Sequence, residues 1–274
     1  LVPTYPEANG IVMKLSYGGN RIRPPGQAQL DRSSIYAADA IICPFNTPSL
    51  LTQGAHQELS GSIVSTGGAA YVQNGGIGAA RLTAAGEWVD FGNVAPFHIS
   101  AFTVLVAFRM DTFSTYNTVL EKSFEASTSS GSFQIQIQSD GTVNIVNDNT
   151  VVIMAASAGA PKVQLGRINV IAVSYDNTTC QVALDGYDLT QATTASTVLN
   201  SDRMVLGAKK GDSSEITRPM DFYLFGFWPR ALPARDLVSL SRNPSQLFMP
   251  TPQIWVPPSA PIVISARPFA FVAT

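Results

Sequence analysis

Phe133, Ile135 and Ile137 alternate with Gln134, Gln136 and Gln138, a period of two that puts the apolar side chains on one face of a strand and the amides on the other. Asp140-Gly141 follows, a pair suited to the positive φ of a tight hairpin, and Val143 and Ile145 resume the alternation. Upstream, Phe102, Val104, Val106 and Phe108 share one strand face and Thr103 and Arg109 the other, where Leu105 and Ala107 make the composition mixed. Residues 168–175 and 181–184 predict a further strand pair joined through Asp176-Asn177-Thr178-Thr179, and Asp185-Gly186 supplies a second turn. Residues 222–228 are apolar on both faces apart from Gly226, which predicts a central strand buried between layers. Residues 40–45 predict a first strand, ended by Asn46-Thr47-Pro48, and residues 61–78, rich in Gly, Ser, Thr and Ala, predict loops between short edge strands.

One helix stands out, over residues 233–240, with Pro233 in its first turn, Leu237 and Leu240 three apart, and Asn243-Pro244 as its stop. Residues 1–36 hold Pro3, Pro6, Gly10, Gly18-Gly19 and Arg21-Ile22-Arg23-Pro24-Pro25-Gly26, which break both helix and central strand and predict an extended arm, either disordered or ordered by a neighbouring subunit. Beyond Met249, prolines alternate with Ile254, Trp255, Val256, Ile262, Phe269 and Phe271, the pattern of an extended strap. Its apolar side chains need burial, on their own sandwich or on another subunit. The expected architecture is therefore all-β: an antiparallel β-sandwich over residues 37–242, with an N-terminal arm (1–36), a C-terminal strap (243–274) and one short helix.

Composition narrows the function. With 274 residues, 45% of them hydrophobic, the chain fills one large core without a second domain. Charged residues make up 13%, against roughly 25% in ordinary soluble proteins. The net charge of −2 provides no basic field for nucleic acid. So sparing a charge suits surface hidden in an assembly, the alternative being a neutral monomer rich in Ser, Thr, Asn and Gln. No apolar run reaches the length of a membrane span, so no membrane insertion is expected, and no leader-like segment is read at the amino terminus, although residue 1 is Leu. Cys43 and Cys180 lie in apolar strand-like runs and read as buried free thiols, with a disulfide between them left open.

Several segments, in order, resemble the laminin G-like and concanavalin A-like lectin family. Residues 76–82 and 86–92, ending Gly86-Glu87-Trp88-Val89-Asp90-Phe91-Gly92, resemble its entry strand; Phe102-Thr103-Val104 resembles the "F-T-x-x-x-W-V" strand; residues 166–176, ending Val173-Ser174-Tyr175-Asp176, resemble "W-x-H-V-A-V-T-Y-D". Asp185-Gly186 is similar to the "V-D-G" hairpin, Val205-Leu206-Gly207 to "L-x-I-G", and residues 220–232 to the "I-D-D-V-R-I-Y-N-R-A-L" close. The resemblance implies a concanavalin A-like jelly roll. The end of the helix, Asn243-Pro244-Ser245-Gln246-Leu247-Phe248, is similar to the "N-P-W-Q-L-F" ending of laminin G-like proteins of tailed bacteriophages, with Ser245 in place of Trp. That implies a virion component.

Such sandwiches often hold a structural calcium on Asp, Asn and carbonyl oxygens. The resemblance puts Asp221, the first closing aspartate, and Asn46 in that role, although Phe222 stands where the second aspartate belongs; no other cofactor is expected. Glucan-cleaving members carry E-x-D-x-x-E on one strand, which this chain lacks, and Glu87 and Asp90, three apart, fall on opposite strand faces. His56 and His98 sit in no recognisable nucleophile setting, and Gly75-Gly76-Ile77-Gly78, without a βαβ unit or a following Lys-Ser/Thr, reads as a turn. Asn177-Thr178-Thr179 is a glycosylation sequon only on a eukaryotic secretory route. Glycan binding would use Trp88, Tyr116 and Asn117 at strand ends or loops, whereas Trp228 is expected in the core and Trp255 in the strap. The leading expectation is a non-enzymatic structural or adhesive bacteriophage protein, located in the virion as a capsid decoration, fibre or tail-associated subunit. Its expected partners are other virion proteins, further copies of itself through the terminal arms, and host surface glycan. The alternatives are a stand-alone carbohydrate-binding module and a polysaccharide hydrolase.

Overall fold

The alternating segments become strands in the computed structural model, which describes residues 31, 33–37, 39–45, 53–54, 64–66, 70–74, 77–84, 87–92, 95–114, 116–122, 133–147, 151–155, 159–189, 204–207 and 219–248. In chain order these are β1 (Ile41–Pro44), β2 (Gln53–Gly54), β3 (Val64–Thr66), β4 (Ala70–Asn74), β5 (Ile77–Leu82), β6 (Trp88–Asp90), β7 (Phe102–Met110) and β8 (Tyr116–Lys122). There follow β9 (Phe133–Gln138), β10 (Val143–Asn147), β11 (Val151–Ala155), β12 (Ile168–Tyr175), β13 (Cys180–Leu184), β14 (Tyr187–Asp188), β15 (Met204–Leu206) and β16 (Met220–Trp228). Helix α1 (Ala234–Arg242) and a 3-10 turn, Pro244–Leu247, close the described chain.

Two antiparallel sheets result. One runs β14-β13-β12-β7-β16-β1-β2, with β5 also paired to β16 and β4 to β5; the other runs β11-β10-β9-β8-β15-β6-β3. Their facing sides enclose an aromatic-rich core. The Phe102 ring stands edge-on to Phe133 with centroids 5.0 Å apart, Phe97 meets Phe227 at 4.9 Å, and Phe91 stacks on Phe225 at 4.2 Å. Offset and edge-on contacts of this kind add to the apolar burial that drives folding.

A third layer covers the other side of the nine-stranded sheet. Leu237 and Leu240 of α1 and Leu247 of the 3-10 turn pack with Leu105 and Ala107 of β7, Val170 and Ala172 of β12 and Trp228 of β16. This layer explains why β7 and β16 are apolar on both faces: each is covered on both sides. Thr103 remains there because its hydroxyl is fully bonded, donating to the Arg230 carbonyl and accepting from the Leu232 amide, both at 2.9 Å. Pro233 stands just before α1 in an extended conformation, with Asp236 in the first turn and Arg242 in the last, charges that suit the helix dipole. The segments flanking the sandwich join this layer. Trp228 Nε1 donates to the Tyr36 carbonyl, the Asp31 amide donates to Leu247 O at 2.8 Å, and Phe248 is buried.

The turns match their residues. Gly141 takes φ 84°, and a Cβ there would lie 2.7 Å from the Val163 carbonyl oxygen, so glycine is required on both counts. Asp185 and Gly186 both have positive φ between β13 and β14, the form that a two-residue hairpin favours. At 176–179, burial works to raise the Asp176 pKa, but hydrogen bonds from the amides and hydroxyls of Thr178 and Thr179 outweigh it and hold the value at about 2.

Cys43 on β1 and Cys180 on β13 are both buried and free. Three strands, β12, β7 and β16, lie between theirs. At about 4.8 Å per strand spacing the separation is roughly 19 Å, far beyond disulfide reach. Burial pushes both thiol pKa values up, with Asp176 adding to the effect at Cys180. Neither thiol is expected to react with Ellman's reagent at pH 8 in the native protein, and both should react in guanidinium. A thiol titrating within minutes in the native protein would contradict the burial.

Candidate functional site

The outer face of the seven-stranded sheet carries a row of polar side chains. On β9, Phe133, Ile135 and Ile137 enter the core, so Gln134, Gln136 and Gln138 point away from it. Pairing places Gln134 opposite Glu121 of β8 and Val146 of β10, and Gln136 opposite Thr118 and Asn144. Gln136 Nε2 donates to Gln134 Oε1 at 2.7 Å, and Gln134 Nε2 donates to Glu121 Oε1 at 3.2 Å. Past Glu121 the register continues through Val205 of β15 to Asp90 of β6, whose Oδ1 accepts from the Gly92 amide at 2.7 Å. Trp88 shares this face with Asp90, because Val89 between them packs into the core.

Burial divides the face into floor and rim. Gln134, Gln136 and Glu121 are 1%, 4% and 2% exposed, whereas Trp88, Gln138 and Asn144 are half-buried around them. The floor tolerates burial because Gln134 both accepts from Gln136 and donates to Glu121, so the three side chains form one hydrogen-bonded chain. β9 is therefore buried on both faces from Phe133 to Ile137, which its alternation alone does not indicate. The helix layer lies on the other sheet, so among the described elements no helix crosses this face.

The residues singled out from the sequence fall in different places. Trp88 lies on the polar face. Tyr116 opens β8 opposite Gln138, and its side chain lies outside the described residues, as do Asn46, His56 and Trp255. Asn117 is not an exposed sugar-binding group. It is fully buried, its Oδ1 accepts from the Ser114 amide and hydroxyl, and its Nδ2 donates to the carbonyls of Ser114 and Ile137. All its capacity goes into bonds to Ser114 and to the Ile137 carbonyl of β9. Asp221 is likewise not placed to hold calcium. Its side chain is 3% exposed, and Arg81 Nε and Nη2 donate to its two oxygens at 2.6 and 2.7 Å, setting a positive charge where the cation would sit. Among the described residues no cluster of three or more His, Cys, Asp or Glu side chains could hold a metal ion.

Glu87 turns its carboxylate back onto the amides of Thr83 and Ala84, so Asp90 shares the face with Glu121 and not with Glu87. His98 is exposed after the short 3-10 turn Ala95–Phe97. Glu121 and the glutamine pair were missed as a unit. A bulge in β8 between Thr118 and Leu120 puts Thr118 and Glu121, three apart, on one face, which a strict period of two forbids.

This geometry is that of a lectin-type sandwich, and the sequence comparison agrees. A laminin G-type profile described as the concanavalin A-like lectin/glucanases superfamily matches residues 83–237. The chain belongs to this superfamily. The matched part of the concanavalin A-like domain holds Trp88, Asp90, Glu121 and the glutamine row. No curated protein sequence matches the chain.

Solved structures of similar fold include Trypanosoma rangeli sialidase in complex with sialic acid, at 10% identity and TM-score 0.57, with 74% of this chain and 32% of that chain covered. Domain 4 of AbnA, a GH43 extracellular arabinanase from Geobacillus stearothermophilus, in complex with arabinotriose, is similar at 16% identity and TM-score 0.56, with 79% of this chain and 100% of that domain covered. The chain thus spans about a third of the sialidase it matches and the whole of the arabinanase domain. At these identities the likeness is one of fold.

Proposed function

We propose that the chain is a non-enzymatic carbohydrate-binding sandwich that serves as an adhesive or structural subunit of a bacteriophage particle. The observation that carries the binding reading is the polar row on the outer sheet face, with Trp88 beside it. Amides offer donors and acceptors together, as sugar hydroxyls require, and a half-buried indole gives a face for a sugar ring. Glu121, Gln134 and Gln136 form a bonded floor, and the half-buried Trp88, Gln138 and Asn144 meet the saccharide. The arabinanase domain of similar fold is in complex with arabinotriose. The virion reading draws support from the 243–248 ending, the 13% charged content and the proline-broken terminal segments.

The test is a glycan array probed with the full chain and with Trp88→Ala, together with light scattering. A retained glycan whose affinity falls about tenfold in Trp88→Ala is expected, with the full chain running as an oligomer. Absence of any retained glycan would remove the lectin reading, and a strict monomer would remove the subunit reading.

One observation favours a hydrolase as the second reading. Glu121 and Asp90 flank Val205 on a common face, about 10 Å apart between Cα atoms at two strand spacings. Side chains of that length bring such a pair into the range of glycosidase carboxylates. Reducing-sugar release that disappears in Glu121→Gln would establish it.

A further inference from the structure

A second concave site opens where the loop before β12, the β13–β14 hairpin and the last turn of α1 meet. This cleft has a volume of about 540 Å³, and its lining includes Lys162, Gln164, Arg167, Asp185, Tyr187 and Arg242. Three cations face one carboxylate there, in a chain whose net charge is −2. Lys162 is engaged with Asp140, its Nζ 2.5 Å from Oδ2, which still leaves two guanidiniums against Asp185.

Both guanidiniums are held from behind by the fold. Arg167 Nη2 donates to Asp185 Oδ2 at 2.6 Å, while Asp185 Oδ1 accepts from the Val170 amide at 2.8 Å. Arg242 Nη2 donates to the Gly186 carbonyl at 3.2 Å, and its side chain lies so close over Gly186 that a Cβ there would be 2.7 Å from Nε. These bonds use one nitrogen of each fork. Arg167 Nε is buried without a partner, alone among charged side chains of the described residues. A guanidinium anchored at one nitrogen is positioned in advance for a planar or tetrahedral anion.

Exposed apolar surface lies in and beside the cleft. Among the described residues the exposed large hydrophobics are Ile35, Leu165 and Tyr187, and the last two lie on this loop and this hairpin. Tyr187 is 60% exposed, an aromatic face beside fixed cations. A neutral sugar would leave the two arginines unused, and a bare ion would leave the tyrosine unused.

We propose that this cleft is a second ligand site, distinct from the polar sheet face, that takes an acidic saccharide. The sugar ring lies on Tyr187, and its anionic group, carboxylate or sulfate, engages Arg242 and Arg167. The proposal rests on the carbohydrate-binding reading only for the sugar ring.

Calorimetry of the full chain tests it, with trigalacturonic acid, a heparin-derived tetrasaccharide, neutral maltotriose and sodium sulfate as probes. Arg242→Gln and Tyr187→Ala change exposed side chains, and Trp88→Ala serves as the control on the other face. At least one acidic saccharide should bind, tighter at low salt, and lose tenfold or more in both cleft variants while Trp88→Ala leaves it unchanged and melting curves coincide. Preference between the two acidic probes then identifies carboxylate or sulfate. Three results would overturn the proposal: neither acidic probe binds, maltotriose binds equally well, or sulfate alone reproduces the binding. Loss in Trp88→Ala with no loss in Arg242→Gln would also overturn it, moving the acidic ligand to the sheet face, whereas an array that retains only acidic saccharides, unaffected by Trp88→Ala, would remove the sheet-face reading and leave this cleft intact.

Discussion

Replacing Phe102 by alanine is expected to lower the unfolding free energy by about 4 kcal/mol. Phe102 opens β7, has no exposed surface, and meets Phe133 at 5.0 Å, Tyr175 at 6.0 Å and Phe227 at 6.1 Å between ring centroids. Those partners come from both sheets, so the space left by the ring is bounded by elements that cannot close on it independently. The Lys122 ammonium, 5.3 Å from the same centroid in a fully buried side chain, also loses its aromatic face. Urea unfolding measures the loss, and the melting temperature should fall by about 10 °C for a chain of this size. Phe102→Leu keeps most of the volume and should cost about 1 kcal/mol. A loss below 1 kcal/mol for the alanine variant would mean that the core repacks around the gap.

Asp221→Asn should destabilise the protein by about 2–3 kcal/mol. Asparagine keeps the shape but turns one acceptor into a donor facing an Arg81 nitrogen, and it leaves the guanidinium without its counter-charge. The reason to expect less than for a wholly buried pair is that the Arg81 side chain is 29% exposed and partly hydrated. Arg81→Met combined with Asp221→Asn should recover more than half of the loss, because no isolated charge remains. A double-mutant cycle by chemical denaturation measures the coupling; additive losses would show that the pair does not act as one.

What the sequence disclosed and what it hid both follow from strand physics. The β9 alternation, the Asp140 and Asp185 turns and the doubly apolar β16 were legible because period and turn chemistry are local properties. Asn117 was misread because the bulge after Thr118 changes the phase of β8, and no local pattern marks a bulge. The burial of Gln134 and Gln136 was not legible because it depends on bonds to each other and to Glu121, which arise only once two strands are in register. Asp221 looked like a metal ligand because its partner, Arg81, lies 140 positions away in sequence. The cleft beside Tyr187 was invisible for the same reason: its loop, hairpin and helix end meet only in the folded chain.

The two unpaired, buried cysteines give the sandwich an independence from redox conditions. No covalent cross-link joins the described elements, so the same fold forms in reducing and oxidising surroundings. A protein built this way can mature where thiols stay reduced and then work outside the cell with no change of covalent structure. Its stability rests on packing, hydrogen bonds and ion pairs such as Arg81–Asp221, none of which depends on thiol oxidation.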